Sequence, residues 1–481
     1  MNTPIIRLFV VFMVLFAGLV GATSWWTVLA ADSVRDNPKN QRDLFKSLEV
    51  RRGAITSAGG TELARSVEGP GDTFAREYAP EAETVSHVLG YHYPLGIGDA
   101  GTERFRADAL SGVSDDLDTL FEQIAGGSPD VGDDLRTNLD LDAQRVAIQQ
   151  LGGRKGSVVA LEPDTGRVQV MASVPGYDPA ALEDDDVYTD LATDEEDSPL
   201  VNRATQSLYP PGSTFKVLTA VAAIDSGKFT PDSVLDGSSP QTFSATPLSN
   251  FGGQSFGSVT LTQALTNSIN TVWAEVGVQL GDETMTEYME RFGLYEEPPI
   301  DYPAGQVEVS GTYDDEGELV KPTGAGLDLG RIAIGQAGLL TTPLQMAMIA
   351  SAVGNDGVLM EPRIAREITD RDGRTVEDIE PERVRRVMSE QTAQQVTAMM
   401  RNVVNSGSGV AAALEGTGVA GKTGTAEIDI QNNINQLWFI AFAPADDPQT
   451  AIAVTVERAQ GGQGGQVAAP IARAVLESLL D

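Results

Sequence analysis

The sequence predicts an α/β (α+β) chain. It is expected to carry an antiparallel sheet with helices on both faces and a helical subdomain, preceded by one transmembrane helix and a small N-terminal module. Three observations support this. Residues 8–31, LFVVFMVLFAGLVGATSWWTVLAA, contain no charged side chain. A hairpin signal spans 156–175, with GSVVALEP, then Asp164-Thr165-Gly166 as the turn, then RVQVMASVP. Two further strand patterns come late, QLWFIAFAP (436–444) and TAIAVTVER (450–458). Most of the helical pattern falls between these pairs, so a large helical cluster is inserted between the second and third strands of the sheet.

The first stretch sets the location. At 1.5 Å per residue, 24 apolar residues can cross a hydrocarbon core of about 30 Å. Arg7 and the N-terminal amine precede the stretch, and Asp32 follows it. The positive-inside rule then puts residues 1–7 in the cytoplasm and the bulk outside the cell membrane, with Trp25 and Trp26 at the outer interface. A cleaved signal peptide is the alternative, because Val28-Leu29-Ala30 resembles a small-residue cleavage site. The apolar stretch exceeds the usual signal core of about 7–15 residues, which favours a retained single-pass anchor.

Residues 32–136 follow as a polar, glycine-rich module containing RRGAI (51–55) and LGYHYPLGIGDAGTERFRADALSG (89–112). No catalytic constellation is visible in it. An amphipathic helix is expected around 135–153, and the chain closes on the helical APIARAVLESLL (469–480). The length of 481 residues allows two or three domains. There is no cysteine, so neither a disulfide nor a thiolate metal site can form. The only histidines, His87 and His92, are read as surface or packing residues, with no metal and no cofactor expected. A net charge of −36 argues against nucleic acid. The densest acidic run, EDDDVYTDLATDEED (183–197), is expected to be a solvated, mobile loop.

Three segments carry chemistry. In YPPGSTFKVLTAVAAIDSG (209–227) a helix is expected from about Ser213 to near Gly227. Its apolar run marks it as buried. Ser213 and Lys216 are three apart and share one face, ~5–6 Å from each other. Burial and the positive end of the helix both favour a neutral lysine amine. A neutral amine beside a serine hydroxyl is a general base beside a nucleophile. In ALTNSINTVWAEVG (264–277) Ser268 and Asn270 open another helix, either as a hydroxyl relay with a substrate-binding amide or simply as a cap. Finally, GTGVAGKTGT (416–425) fits Gly-x-x-x-x-Gly-Lys-Thr by letters. A phosphate loop follows a buried strand and opens a helix, and this segment does neither. A strand, GKTGTAEI, is expected instead, with Lys422 and Gly424 on one face and Thr423 and Thr425 on the other. Gly424 is expected to leave room for a substrate backbone. No nucleotide is expected to bind.

Ser-x-x-Lys, Ser-x-Asn and Lys-Thr-Gly occur in that order, with gaps of 55 and 154 residues. This set resembles the signature of serine penicillin-binding proteins and related β-lactamases. Over about 137–481, VVALEPDTGRVQVMASVPGYDP, LVNRATQSLYPPGSTFK, GQAGLLTTPLQMAMIASAVGNDG and LWFIAFAP also resemble their transpeptidase domains. The anchor and the RRGAI region are similar to the class B architecture, and specifically to the actinobacterial penicillin-binding protein A type. The resemblance implies a pedestal or dimerisation-like domain over 32–136. It also implies a D,D-transpeptidase that cross-links peptidoglycan stem peptides during cell-wall growth, with roles in cell shape or division. Ser213 would attack the D-alanyl–D-alanine carbonyl and Lys216 would take its proton. Ser268 would relay a proton to the leaving D-alanine, helped by Lys422. Asn270 would orient the acyl-side amide, Thr423, Gly424 and Thr425 would dock the substrate, and the backbone N–H groups of Ser213 and Thr425 would form the oxyanion hole. The implied partners are peptidoglycan stems, β-lactams as covalent inhibitors, the cytoplasmic membrane and a membrane glycan polymerase.

Two other uses of such a pocket are considered. A β-lactam hydrolase needs a glutamate to activate water, and Glu296 and Glu297 in YEEPPID lack the asparagine expected four residues on. A β-lactam sensor needs a signalling domain, and only about seven residues precede the apolar stretch.

Overall fold

The computed structural model describes residues 2–25, 48–112, 131–323, 326–429 and 431–480. The apolar stretch forms helix α1 (Asn2–Ser24), which starts six residues before the first residue of the expected span. Its window Pro4–Gly21 has a mean hydropathy of 2.4 and no burial against the rest of the chain. Residues 26–31 of the expected anchor, including Trp26, lie outside the described residues.

Short strands β1 (Ile55–Thr56), β2 (Glu62–Glu68) and β3 (Phe74–Tyr78) open the N-terminal module. Strand β4 (Asp134–Thr137) and helix α2 (Leu141–Leu151) lead into the hairpin β5 (Gly156–Leu161) and β6 (Val168–Val174). Asp140 caps α2 by accepting from the backbone N–H groups of Asp142 and Ala143, and Gly152 ends it in the left-handed region. The acidic run departs from expectation. It holds helix α3 (Asp185–Thr193), and the Asp184 side chain caps it by accepting from the Asp186 N–H. Two acidic residues in its first turn suit the positive helix end, so carboxylates that look like a solvated loop instead start a helix.

The insertion contributes α4 (Lys216–Asp225), α5 (Asn270–Arg291), α6 (Pro343–Gly354), the hairpin β7 (Ala365–Thr369) and β8 (Thr375–Asp378), and α7 (Glu390–Ser406). Strands β9 (Ala420–Asp429), β10 (Ile434–Ala443) and β11 (Thr450–Gln460) return to the main sheet, followed by α8 (Gly464–Leu480). Helix α8 begins five residues before the expected start, so Pro470 lies inside it.

The main sheet is antiparallel throughout, in the order β9-β10-β11-β5-β6. Side chains along a strand alternate between faces, and β10 shows how this builds two cores. Trp438, Ile440 and Phe442 join the core with α4, α5, α6 and α7, while Leu437, Phe439 and Ala441 pack with α2 and α8. Both faces are covered, so the strand carries no polar alternation.

A second sheet runs β8-β7-β4-β1-β2-β3. Strands β7 and β8 come from deep in the insertion, yet they extend the N-terminal sheet through the β7–β4 pairing. Beside that sheet, Glu103 is fully buried and holds Arg76 at 2.6 Å and Arg52 at 3.0 Å. Burial raises its carboxyl pKa, but Arg76 and Arg52 outweigh this and hold it below the usual value. Both expected packing histidines are buried. His87 sits 2.8 Å from the Pro199 carbonyl, and burial lowers its pKa to about 4.

Removing a buried carboxylate leaves two guanidinium groups without their counter-charge. Glu103→Ala should therefore destabilise the protein by about 3–5 kcal/mol, read as a lowered denaturation midpoint. A change within about 0.5 kcal/mol would contradict this account of the triad.

Candidate active site

Residues Gly212–Phe215 form a single 3₁₀ turn, and α4 begins at Lys216. The sequence places the helix start at Ser213, and the structure tightens that first turn. Ser213 and Lys216 then point together, with Lys216 Nζ 2.9 Å from Ser213 Oγ. Lys216 is fully buried.

Ser268 and Asn270 come to the same amine. Nζ donates to the Ser268 carbonyl at 2.9 Å and to Asn270 Oδ1 at 2.6 Å, and Ser268 Oγ lies 3.3 Å away. Asn270 is the first residue of α5 and makes no cap, and its Nδ2 donates instead to the Ser249 carbonyl. That second contact fixes Oδ1 toward the lysine. Ser268 has φ 56°, a left-handed conformation that disfavours side chains. Held there, it presents both its carbonyl and its hydroxyl to the lysines.

Lys422 approaches from β9. Its Nζ lies 2.9 Å from Ser268 Oγ and 2.8 Å from the Thr423 carbonyl. Burial lowers its pKa to about 7. Burial, and then repulsion from Lys422, push Lys216 well below the ordinary lysine value.

Thr423 and Thr425 line the cleft, as the strand alternation requires. Thr423 Oγ is 2.6 Å from Ser408 Oγ, and Thr425 Oγ accepts from the Gly464 N–H at 3.2 Å. Gly424 does not leave room for substrate, which corrects the sequence expectation. A Cβ there would lie 2.8 Å from the Pro211 carbonyl oxygen and 2.9 Å from Thr214 Cγ2. Gly424 instead lets the serine turn seat against the sheet. Trp438 Nε1 donates to the Pro210 carbonyl at 3.0 Å and pins the same turn. Lys422 sits in the middle of an extended strand paired with Ile440, so the segment is no phosphate loop.

The cleft is about 610 Å³. Ser408, Asn435 and Gln463 line it and were not singled out from sequence. They come from a loop, from β10 and from the approach to α8, and no spacing motif joins them. Glu296, the candidate carboxylate of a hydrolase, is bound by Arg385 at 2.7 and 2.6 Å and does not line the cleft.

The sheet, the inserted helices and this serine–lysine centre define a penicillin-binding type of acyltransferase fold. A family model described as the penicillin binding protein transpeptidase domain matches residues 156–477, and one described as the penicillin binding protein A dimerisation domain matches 52–133. The chain is 37% identical to the peptidoglycan D,D-transpeptidase PbpA of Mycolicibacterium smegmatis, over all of this chain and 99% of the relative. It is 34% identical to the Mycobacterium tuberculosis protein of the same name, again over all of this chain and 99% of the relative. The penicillin G acyl-enzyme complex of M. tuberculosis penicillin-binding protein A superposes with a TM-score of 0.79 at 33% identity, covering 90% of this chain and 100% of that one. The chain belongs to the penicillin-binding protein transpeptidase family.

A lysine with a depressed pKa releases its proton on folding. For Lys422 the unfolded state binds more protons between about pH 7 and the unfolded lysine value near 10.4. Its contribution to stability therefore rises with pH across that window. Lys422→Met should reduce the slope of stability against pH by about 1 kcal/mol per unit, followed by denaturant titrations from pH 7 to 9. Parallel pH profiles for the two proteins would mean that Lys422 is not neutralised by folding.

Proposed function

We infer that the protein is a peptidoglycan D,D-transpeptidase that works through an acyl-serine and is acylated by penicillin. The observation that carries this is the hydrogen-bond arithmetic at Lys216. A neutral amine has two N–H donors and one lone pair. The Ser268 carbonyl and Asn270 Oδ1 are acceptors only, and they take the two N–H groups. The lone pair is left for the Ser213 hydroxyl, 2.9 Å away.

In the proposed sequence, Ser213 Oγ attacks the carbonyl of the penultimate D-alanine while its proton passes to Lys216 Nζ. The oxyanion is held by the backbone N–H groups of Ser213 and Thr425. The C–N bond breaks as the proton held by Lys216 passes through Ser268 Oγ to the leaving D-alanine nitrogen, which returns Lys216 to its neutral form, with Lys422 Nζ 2.9 Å from the relaying hydroxyl. Asn270 and the strand from Thr423 to Thr425 position the peptide. An amine of a second stem then attacks the ester, Lys216 takes the amine proton, and Ser213 leaves with a proton restored. A β-lactam enters the same first step, but its ring-opened half stays attached and obstructs the acceptor.

The chain is membrane-anchored. We place its N-terminus in the cytoplasm and its catalytic cleft outside, a reading supported by Arg7 ahead of the apolar helix and by an extracytoplasmic substrate. Residues 32–136 serve as pedestal and 137–481 as the transpeptidase domain, in keeping with the family matches at 52–133 and 156–477. Cross-linking consumes glycan strands made at the membrane, so the working partner is a membrane glycan polymerase.

Two outcomes test the chemistry. Peptide mapping after penicillin treatment should find the adduct on Ser213, and Ser213→Ala should abolish it. Lys216→Arg should be nearly as damaging as Lys216→Ala, because a guanidinium cannot accept the serine proton. Fast acylation of the arginine variant would remove Lys216 as the base.

Turnover separates this enzyme from a hydrolase. The penicilloyl adduct should persist for many minutes to hours, with a stoichiometric burst and little steady-state hydrolysis, as read by intact mass after a chase with unlabelled drug. Rapid return to the unmodified mass with continued drug loss would assign a hydrolase instead.

A further inference from the structure

Among the residues lining the catalytic cleft, Glu427 is the one with a charged side chain. It lies two residues beyond Thr425 on β9 and shares the cleft-facing side of that strand with Thr423 and Thr425. Its surroundings in the cleft are neutral amides, Asn433, Asn435, Gln463 and Gln466. It is exposed and, among the described residues, enters no ion pair. A bare carboxylate among neutral lining side chains is placed to pair with a cation on whatever the cleft holds.

The direction of the substrate says which part that is. The departing D-alanine lies toward Ser268 and Lys422, where the proton relay is built. The acyl portion of the donor stem therefore runs past Thr425 toward Glu427. At about 3.4 Å per residue, Glu427 lies ~7 Å along the strand from Thr425, a distance covered by one residue of extended donor peptide plus the reach of that residue's long side chain. Stem peptides carry a side-chain amine, since that amine is the acceptor in cross-linking. It is an ammonium ion in water while free, and a neutral amide once it has been cross-linked.

We propose that Glu427 is a specificity-determining residue that binds the free side-chain ammonium of the donor stem, upstream of the bond to be cut. The cleft thereby favours as donors those stems whose own amine has not yet been used. This rests on the transpeptidase reading and adds to it a choice of donor. Glu427 takes no part in the acyl transfer itself. Its contribution is an ion pair at the cleft surface, modest and screened by salt.

The test uses the full chain in detergent and two pentapeptides ending in D-alanyl–D-alanine. They differ only in whether the side-chain amine of the residue before that dipeptide is free or acetylated. D-alanine release gives kcat/KM for each. The wild type should prefer the free amine by roughly twofold to fivefold, with the preference shrinking as salt is raised. Glu427→Gln should bring the ratio close to one, and Glu427→Lys should reverse it. Equal use of both peptides by the wild type, or a preference that survives Glu427→Gln, overturns the proposal. Fluorescent penicillin labelling of the same samples reports separately on Ser213. Absent labelling of the wild type would sink the transpeptidase reading, whereas full labelling with a ratio of one sinks only the role given to Glu427.

Discussion

A fully buried lysine, pushed by burial and by Lys422 toward its neutral form, is the constraint on which the rest of the site depends. Lys216 is fully buried, with no carboxylate among its hydrogen-bond partners. A carboxylate there would stabilise the ammonium form. The partners present are a carbonyl, an amide oxygen and hydroxyls, which orient an amine without charging it. Lys422 adds repulsion that further disfavours the protonated form of Lys216. The left-handed backbone of Ser268 follows from the same need, because one residue must offer both a carbonyl to Lys216 and a hydroxyl to Lys422.

The sheet exists in this form to bring three distant segments to one point. The serine turn lies against β9 closely enough for Ser213 and Thr425 to line one cleft. Gly424 permits this by offering no side chain where the Pro211 carbonyl and Thr214 press against the strand. Trp438 then closes the contact from β10 through its bond to the Pro210 carbonyl. The fully buried β10 and the two cores on its faces hold the strand that positions the threonines. Packing at native density transmits that placement with little slack.

Much of this was legible in the sequence. The hairpin, the two late strands, the buried helix after Ser213 and the grouping of Ser213, Lys216, Ser268, Asn270 and Lys422 all follow from local pattern and motif spacing. What was missed has a common cause, since it depends on contacts between remote segments. The face of Gly424 was read correctly from alternation, but its neighbour is protein where substrate was expected. The pairing of β7 with β4 joins residues more than two hundred positions apart, and nothing in either strand names its partner. Ser408 reaches Thr423 from a loop with no periodicity. The run 183–197 differs for a local reason: its charge density reads as a loop, yet the Asp184 side chain caps a helix there.

Depressing the pKa of a buried lysine is itself a cost to folding. For Lys422, a pKa brought from 10.5 to about 7 corresponds to an order of 5 kcal/mol relative to the unfolded chain, at 1.36 kcal/mol per unit. A typical domain has only about 5–15 kcal/mol of net stability. One buried amine can therefore offset a large share of it, and Lys216 is shifted in the same direction. The compensation lies in the apolar mass around them. Phe215, Trp273, Phe292, Trp438 and Phe442 are all fully buried, and each contributes on the order of 2–3 kcal/mol of burial. The helices inserted between β6 and β9 thus have two physical tasks. With β10 they form the wall that excludes water from the lysines, and they share in supplying the hydrophobic free energy that keeps two amines of depressed pKa inside.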